Sequence, residues 1–320
     1  MTRFVVWPDN HAVTRVYFIL GCTAVGKGAI ARKLARRTGG QIVSVDSMKV
    51  YRRMDIGTAK PSVEDRAAIP HHCIDVVEPS ESFSVARYVA CADEAIQSIV
   101  AAGAIPLAVG GTSLYVKALS EGLFDGPSGD ASIRTELKVR AGREGLAALH
   151  RELVAVDAEA GRRIHPNDER RIIRALEAYR ASGVPISRLQ KQWDSPSRRY
   201  DCVFVGLRRD KDDLHRRINA RVKRMAEAGL REEVASLLAE PAGLSLQAAQ
   251  AVGYAEMIAH LQGHMTLDEA METVKVNTRK LAKRQRTWHR RWTGALWFDL
   301  APDATADGAA EAISRSVRFN

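Results

Sequence analysis

Four short runs along the chain have the length and apolar content of strands: Val16–Leu20, Gln41–Val45, Ile105–Val109 and Asp201–Leu207. Between them, apolar residues recur at helical spacing in Ala29–Arg37, Val85–Ala101 and Ser113–Leu119. Apolar runs alternating with amphipathic helices predict βαβ units, and so an α/β fold with a P-loop-like parallel sheet flanked by helices. Such sheets gather ligands at the carboxyl ends of their strands.

From Leu123 to Pro196 the rhythm changes. A turn-rich hinge, Asp125-Gly126-Pro127-Ser128-Gly129-Asp130, leads into helical patterns at Ala131–Arg143, Leu146–Val154 and Glu169–Ala181, and Ser195-Pro196-Ser197 closes the stretch. This predicts a helical insertion domain, residues 124–196, inside a core built from 1–123 and 197–320. After the last strand, helical patterns cover Asp212–Glu240 and Thr266–Arg291.

The first run opens into Gly21-Cys22-Thr23-Ala24-Val25-Gly26-Lys27-Gly28. This is a phosphate-binding loop whose final Ser or Thr is replaced by Gly28. Its glycines let the backbone curl so that N–H groups converge, the following helix adds a partial positive charge, and Lys27 adds a full one. As a bare motif it reads as a nucleotide (ATP) site, yet the hydroxyl that normally meets Mg²⁺ is missing. Asp46 directly follows the second run, where a carboxylate serves as general base or metal partner, or caps a turn. Gly110-Gly111-Thr112 ends the third run; Thr112 either meets a ligand or caps the next helix. No carboxylate stands there, although a hydrolysing P-loop enzyme holds Mg²⁺ with one.

Composition narrows the classes. Hydrophobic content of 46% and charged content of 27% fit a soluble globular protein, and no apolar run is long enough to span a membrane. Met1–His11 lacks the order of a signal peptide, and the four cysteines form no C-x-x-C pair. Both features point to a reducing cytoplasm and away from zinc. A net charge of +10 suggests a polyanionic partner. Arg217, Arg221 and Arg224 share a helix face with Arg216 alongside, a stripe fit for a diphosphate or a nucleic-acid backbone. The segment Arg279–Trp292 carries seven Lys or Arg with Trp288 and Trp292 between them, a composition that suits looped RNA. A second cluster, Arg170-Arg171-Ile172-Ile173-Arg174, follows a capping His165-Pro166-Asn167-Asp168.

In order along the chain, G-x-T-A-V-G-K, V-S-V-D-S-M-K-V-Y, M-D-I-G-T-A-K-P, V-G-G-T-S-L-Y, H-P-N-D-E-R-R-I-I-R-A-L-E, V-G-Y and L-A-K-R-Q-x-T-W resemble the tRNA dimethylallyltransferase (tRNA isopentenyltransferase) family from about Val16 to Trp292. The resemblance implies transfer of a dimethylallyl group from dimethylallyl diphosphate to N6 of adenosine 37, beside the anticodon of tRNA, with release of diphosphate. It implies a helical insertion that clamps the anticodon stem-loop, and catalysis by Asp46, Thr112 and Arg221. It implies diphosphate binding by Gly21, Thr23, Ala24, Val25, Gly26, Lys27 and Gly28. It implies tRNA contacts from Asp46, Ser47, Met48, Lys49, Thr112, Arg134, Arg170, Arg171, Ile172, Ile173, Arg174, Gln250, Ala251, Val252, Gly253, Tyr254 and Ala255. Mg²⁺ is the expected cofactor, near Lys27 and Gly28 with Asp46 close by. The expected protein is a cytoplasmic monomer with no membrane partner. Three positions depart from the family pattern: Gly28 for a hydroxyl residue, Arg53 for a glycine, and Ala255 for a Lys or Arg. They keep two alternatives open, a P-loop kinase or NTPase and a tRNA-binding relative impaired by Gly28.

Overall fold

A computed structural model describes residues 14–123, 126–127, 129–191 and 199–320. The N-terminal stretch Met1–His11, the hinge residues Asp125 and Ser128, and Ser195-Pro196-Ser197 lie outside the described residues. The chain divides into two compact units, Met1–Ser120 with Arg199–Asn320, and Glu121–Arg198.

The described residues of the first unit form six strands: β1 (Arg15–Leu20), β2 (Gly40–Val45), β3 (His71–His72), β4 (Ile105–Gly110), β5 (Asp201–Arg209) and β6 (Leu296–Leu300). Every pairing is parallel, in the order β3-β2-β4-β1-β5-β6. Parallel neighbours need long crossovers, and helices such as Lys27–Thr38 and Val85–Ala101 supply them. The central β1 is covered on both faces, and Val16–Leu20 are wholly buried, which is why that strand reads as an unbroken apolar run. Two strands go beyond the sequence expectation. β3 has only two residues, and β6 is a partly exposed edge whose run is broken by Asp299. What fixes β6 is remote in sequence: Trp297 lies so close to Gly206 of β5 that any Cβ there would overlap the indole.

Strand register places the site. Leu20 pairs with Gly110, and Gly110 pairs with Val45. β1, β4 and β2 therefore end in line, and Gly21, Gly111 and Asp46 leave the sheet side by side, with strands about 4.8 Å apart. The packing is tight enough that a Cβ at Gly110 would overlap the Val45 carbonyl.

The helical pattern Asp212–Glu240 resolves into two helices, Lys211–Glu227 and Leu230–Leu238, interrupted where Gly229 turns left-handed at φ 92°. The long helix Leu267–His289 starts at a capping box. Thr266 accepts from the Glu269 amide, and the Glu269 carboxylate accepts from the Thr266 amide.

The second unit is helical, with its own core of Leu137, Leu149, Leu153, Ile172, Ile173 and Leu176 among others. Ile172 and Ile173, expected among the tRNA contacts, thus turn their side chains into this core. The R-R-I-I-R cluster reads as basic in sequence, but helical periodicity turns its two isoleucines inward. Arg134 and Arg174 have internal work as well. Both pair at 2.9 Å with the fully buried Glu177 carboxylate, and Arg174 also donates to the Pro127 carbonyl at 3.0 Å. A buried carboxylate without such partners is strongly destabilising. Arg170 and Arg171 stay exposed at the start of the helix Glu169–Ser182.

Candidate active site

The phosphate-binding loop joins β1 to the helix Lys27–Thr38. It curls through Ala24 at φ 63° and Gly26 at φ 108°, and Ala24 accepts the cost of a left-handed residue with a Cβ. Side chains hold the loop's carbonyls: Lys27 Nζ donates to Cys22 O at 2.7 Å, Arg217 Nε to Ala24 O at 3.0 Å, and Arg209 Nε to Val25 O at 3.0 Å. With those carbonyls turned to cations, the amides of Ala24, Gly26, Lys27 and Gly28 have no partner among the described residues. They form an anion nest at a helix N-terminus. Two expected donors are spent elsewhere. The Thr23 amide donates to Gln285 Oε1 at 2.7 Å, and the Val25 amide to Cys22 O at 3.4 Å while its side chain packs in the core.

Asp46 has the turn-capping role that its position suggested, and one carboxylate oxygen is left over. Its Oδ1 accepts from the amides of Met48, at 2.9 Å, and Lys49, at 3.4 Å, making the turn after β2. Its Oδ2 has no hydrogen-bond partner among the described residues. Thr112 Oγ1 accepts from the Ser47 amide at 3.1 Å and lies 3.4 Å from the Ser47 hydroxyl. Thr112 thereby ties the β4 end to the β2 end, behind the Asp46 turn.

Thr23, Asp46, Met48, Thr58, Arg221 and Leu281 are among the residues that line a cleft of about 600 Å³, open mouth included. Arg221 donates to Thr23 Oγ1 at 3.0 Å and to the Thr58 carbonyl at 3.5 Å, and its buried Nε is unpartnered. Burial pushes the Lys27 ammonium down to about 8, while Asp46 opposes the shift and Lys49 and Arg221 add to it. Burial also pushes Lys49, Arg217 and Arg221 down. Several desolvated cations thus surround one carboxylate. That is an expensive arrangement for the empty protein and a favourable one for a multiply charged anion. The arginine stripe splits: Arg217 and Arg221 reach the loop, Arg216 pairs with Asp213 at 3.3 Å, and Arg224 is exposed.

The Gln250–Ala255 stretch is divided too. Gln250 and Ala255 are exposed, and Ala251 and Val252 line the cleft. Gly253 and Tyr254 are buried, and the Tyr254 side chain has a structural task. Its hydroxyl donates to Glu233 Oε1 at 2.6 Å, and its ring lies where a Cβ on Gly57 would be. Glu233 in turn accepts from the amides of Asp55, Ile56 and Gly57, at 2.9, 2.7 and 3.2 Å. This shapes the M-D-I-G-T-A-K-P loop. Arg53 takes φ 58° and pairs with Glu78 and Glu240 at 2.7 and 2.9 Å. Exposed pairs contribute about 0–1 kcal/mol each, enough to offset much of a left-handed residue's cost of about 1–2 kcal/mol. In the basic segment, Trp288 and Trp292 are half-buried, Trp292 stacking on Phe204 at 4.7 Å. Lys280, Lys283, Arg284, Arg286, Arg290 and Arg291 are exposed. Gln285, Arg209 and Glu233 are contributors that sequence reasoning did not single out.

The donor set bears on Mg²⁺. Among the described residues, no cluster of three His, Cys, Asp or Glu side chains could hold a metal. At Gly28 a Cβ would meet only Arg32 Nη1, at 3.5 Å. One carboxylate among cations does not fit a resident Mg²⁺. It fits an ion that arrives on diphosphate oxygens and keeps several waters.

Comparison with known proteins gives the lineage. The IPP transferase family model matches residues 49–292, and the Isopentenyl transferase model matches residues 14–75. A tRNA dimethylallyltransferase of Geobacter metallireducens is 46% identical over 286 residues, 89% of this chain and 93% of that protein. One from Desulforudis audaxviator is 47% identical over 299 residues, 93% of this chain and 96% of the other. The crystal structure of a Bacillus halodurans tRNA isopentenylpyrophosphate transferase superposes with a TM-score of 0.69 at 41% identity, covering 94% of this chain and 95% of that one. A eukaryotic dimethylallyltransferase captured acting on tRNA superposes with a TM-score of 0.77 at 27% identity, covering 95% and 78% of the two chains. The match runs through the phosphate loop, the Asp46 turn, the helical unit and the basic helix, and the chain belongs to the IPP transferase family.

Proposed function

We propose that the protein transfers a dimethylallyl group from dimethylallyl diphosphate to N6 of adenosine 37 in tRNA, and that the cleft beside the phosphate loop is where this happens. The observation that carries the reading is the set of desolvated cations, Lys27, Lys49 and Arg221, around the single Asp46 carboxylate, with Arg221 and Asp46 both lining the cleft. Such a site suits a diphosphate leaving group next to a base. The target adenosine, stacked in the anticodon loop, must be flipped to enter. Its N6 attacks the first carbon of the dimethylallyl group, and the carbon–oxygen bond breaks with its electron pair leaving on diphosphate. Asp46 Oδ2 takes the proton that N6 gives up. Lys27, Arg221 and the open loop amides face the oxygens on which charge grows, which favours the transition state over the ground state. Mg²⁺ carried in on the diphosphate would neutralise part of its charge. For tRNA we assign phosphate contacts to the exposed Arg170 and Arg171 of the helical unit and to the exposed cations of Leu267–His289.

The kinase or NTPase reading lacks its carboxylate, because β4 ends in Gly110-Gly111-Thr112. The two are separated by supplying tRNA with either dimethylallyl diphosphate or ATP and following diphosphate and nucleotide products. Expected is tRNA-dependent release of diphosphate from the prenyl donor and no ATP turnover. ATP hydrolysis without prenyl transfer would reverse the assignment.

Gly28 gives a separate expectation. The Cβ of a threonine there would meet only Arg32 Nη1, at ordinary contact distance; the residue returns a hydroxyl to the loop and replaces a poor helix former in the first turn. Gly28→Thr should lower the Mg²⁺ concentration for half-maximal rate and raise stability by a few tenths of a kcal/mol. An unchanged Mg²⁺ titration would mean that water or substrate already fills the hydroxyl's place.

A further inference from the structure

The long helix Leu267–His289 turns one face to the cleft, where Val274, Thr278 and Leu281 line it. Gln285 follows at helical spacing, half-buried, and uses both ends of its amide. Its Oε1 accepts from the Thr23 amide at 2.7 Å, in the loop after β1. Its Nε2 donates to the Gly111 carbonyl at 2.9 Å, in the loop after β4. Position 111 records how close the parts are: a Cβ there would lie 2.6 Å from Gln285 Nε2 and 3.0 Å from the Gly21 carbonyl. Gln285 does not line the cleft, so its influence runs through the two loops it joins.

We infer that Gln285 is a positioning residue for the transfer, its amide fixing the gap between the loop that cradles diphosphate and the loop that leads into Thr112. The inference rests on the proposed prenyl transfer. Alkyl transfer needs the nucleophile in line with the breaking bond, and a misplacement near 1 Å costs about a hundredfold in rate. A planar amide satisfied at both ends resists such sliding. No other common side chain of this length offers the pair. Glutamate would set an oxygen against the Gly111 carbonyl, lysine has no acceptor for the Thr23 amide, and methionine has the length with neither group. Loss of the amide leaves each loop its own supports. Lys27, Arg209 and Arg217 still hold the phosphate loop, and Ser47 still holds Thr112. What is lost is their mutual alignment.

The test compares Gln285→Met and Gln285→Glu with the full-length wild type, using unmodified tRNA and dimethylallyl diphosphate. Expected for Gln285→Met is a kcat reduced roughly ten- to a hundredfold, with affinity for inorganic diphosphate and for tRNA within about threefold and an unchanged melting temperature. Gln285→Glu adds a readout that general loosening would not produce. Its protonated carboxyl is isosteric with the amide and can bridge both loops again. Its rate relative to wild type should therefore rise as pH falls through the carboxylate range, while the Gln285→Met ratio stays flat. A Gln285→Met enzyme with wild-type kcat overturns the inference, as does a parallel loss of diphosphate affinity, tRNA affinity and melting temperature. A wild-type enzyme that binds diphosphate but transfers nothing would instead remove the proposed function, and the inference with it.

Discussion

Asp46→Asn should lower the transfer rate by about a hundred- to ten-thousandfold, the usual range for a lost general base, while tRNA affinity stays within about twofold. The substitution separates the two uses of the side chain. The asparagine oxygen can still accept from the Met48 and Lys49 amides, so the turn after β2 survives. What disappears is the oxygen that takes a proton. An aromatic exocyclic amine is a weak nucleophile and must shed its proton as the bond forms, so the loss falls on kcat. Single-turnover kinetics with saturating tRNA, beside a filter-binding titration, measure both quantities. Equal losses in rate and in binding would make Asp46 a structural residue and leave the cleft without its base.

Lys27→Met should have effects of opposite sign on activity and on stability. Burial holds the ammonium at about 8, well below a free lysine, so the ligand-free protein bears a desolvation cost that methionine does not. The variant should melt at the same or a higher temperature, yet transfer at least a hundredfold more slowly, because a fixed charge facing the leaving group is lost. The same shift sets a pH dependence. Lys27 in the free protein is charged below pH 8 and loses its proton as pH rises through that value. Affinity for inorganic diphosphate should accordingly fall above pH 8 in the wild type, and Lys27→Met should lose this dependence. Cys22, Asp46, Lys49, Arg221 and His289 are other ionisable groups around the ammonium, and the downward shifts of Lys49, Arg221 and His289 also come first from burial. Calorimetric titration of diphosphate across that range, with thermal melts of both proteins, measures the effect. A destabilised Lys27→Met with intact transfer would contradict the electrostatic description of the site.

The catalytic edge was legible where chemistry is anchored to strand ends. β1, β2, β4 and β5 announce themselves because a parallel strand covered on both faces must be apolar. Gly21, Asp46 and Thr112 then follow at the points where those runs stop. The edge strand β6 is hard to see because Asp299 and its exposure break the pattern, and the two helices after β5 read as one because Gly229 is tolerable in a helical window. Motif runs misled in another way. R-R-I-I-R, V-G-Y and the phosphate loop mix residues of opposite orientation, and only packing separates the exposed Arg170 and Arg171 from the buried Ile172 and Ile173, or Gln250 from Tyr254. Arg209, Glu233 and Gln285 were invisible for a further reason. Each acts on a loop 174 to 262 positions away, so its local sequence carries no trace of the partner.

Digestion of tRNA to nucleosides after incubation with the protein, dimethylallyl diphosphate and Mg²⁺, followed by mass spectrometry, decides whether the cleft does what its cations and carboxylate suggest. Expected is one dimethylallyl group per tRNA, on N6 of the adenosine next to the anticodon, absent when the donor is omitted and nearly absent with Asp46→Asn. Unmodified adenosine throughout, from a protein that still binds both tRNA and diphosphate, would contradict it.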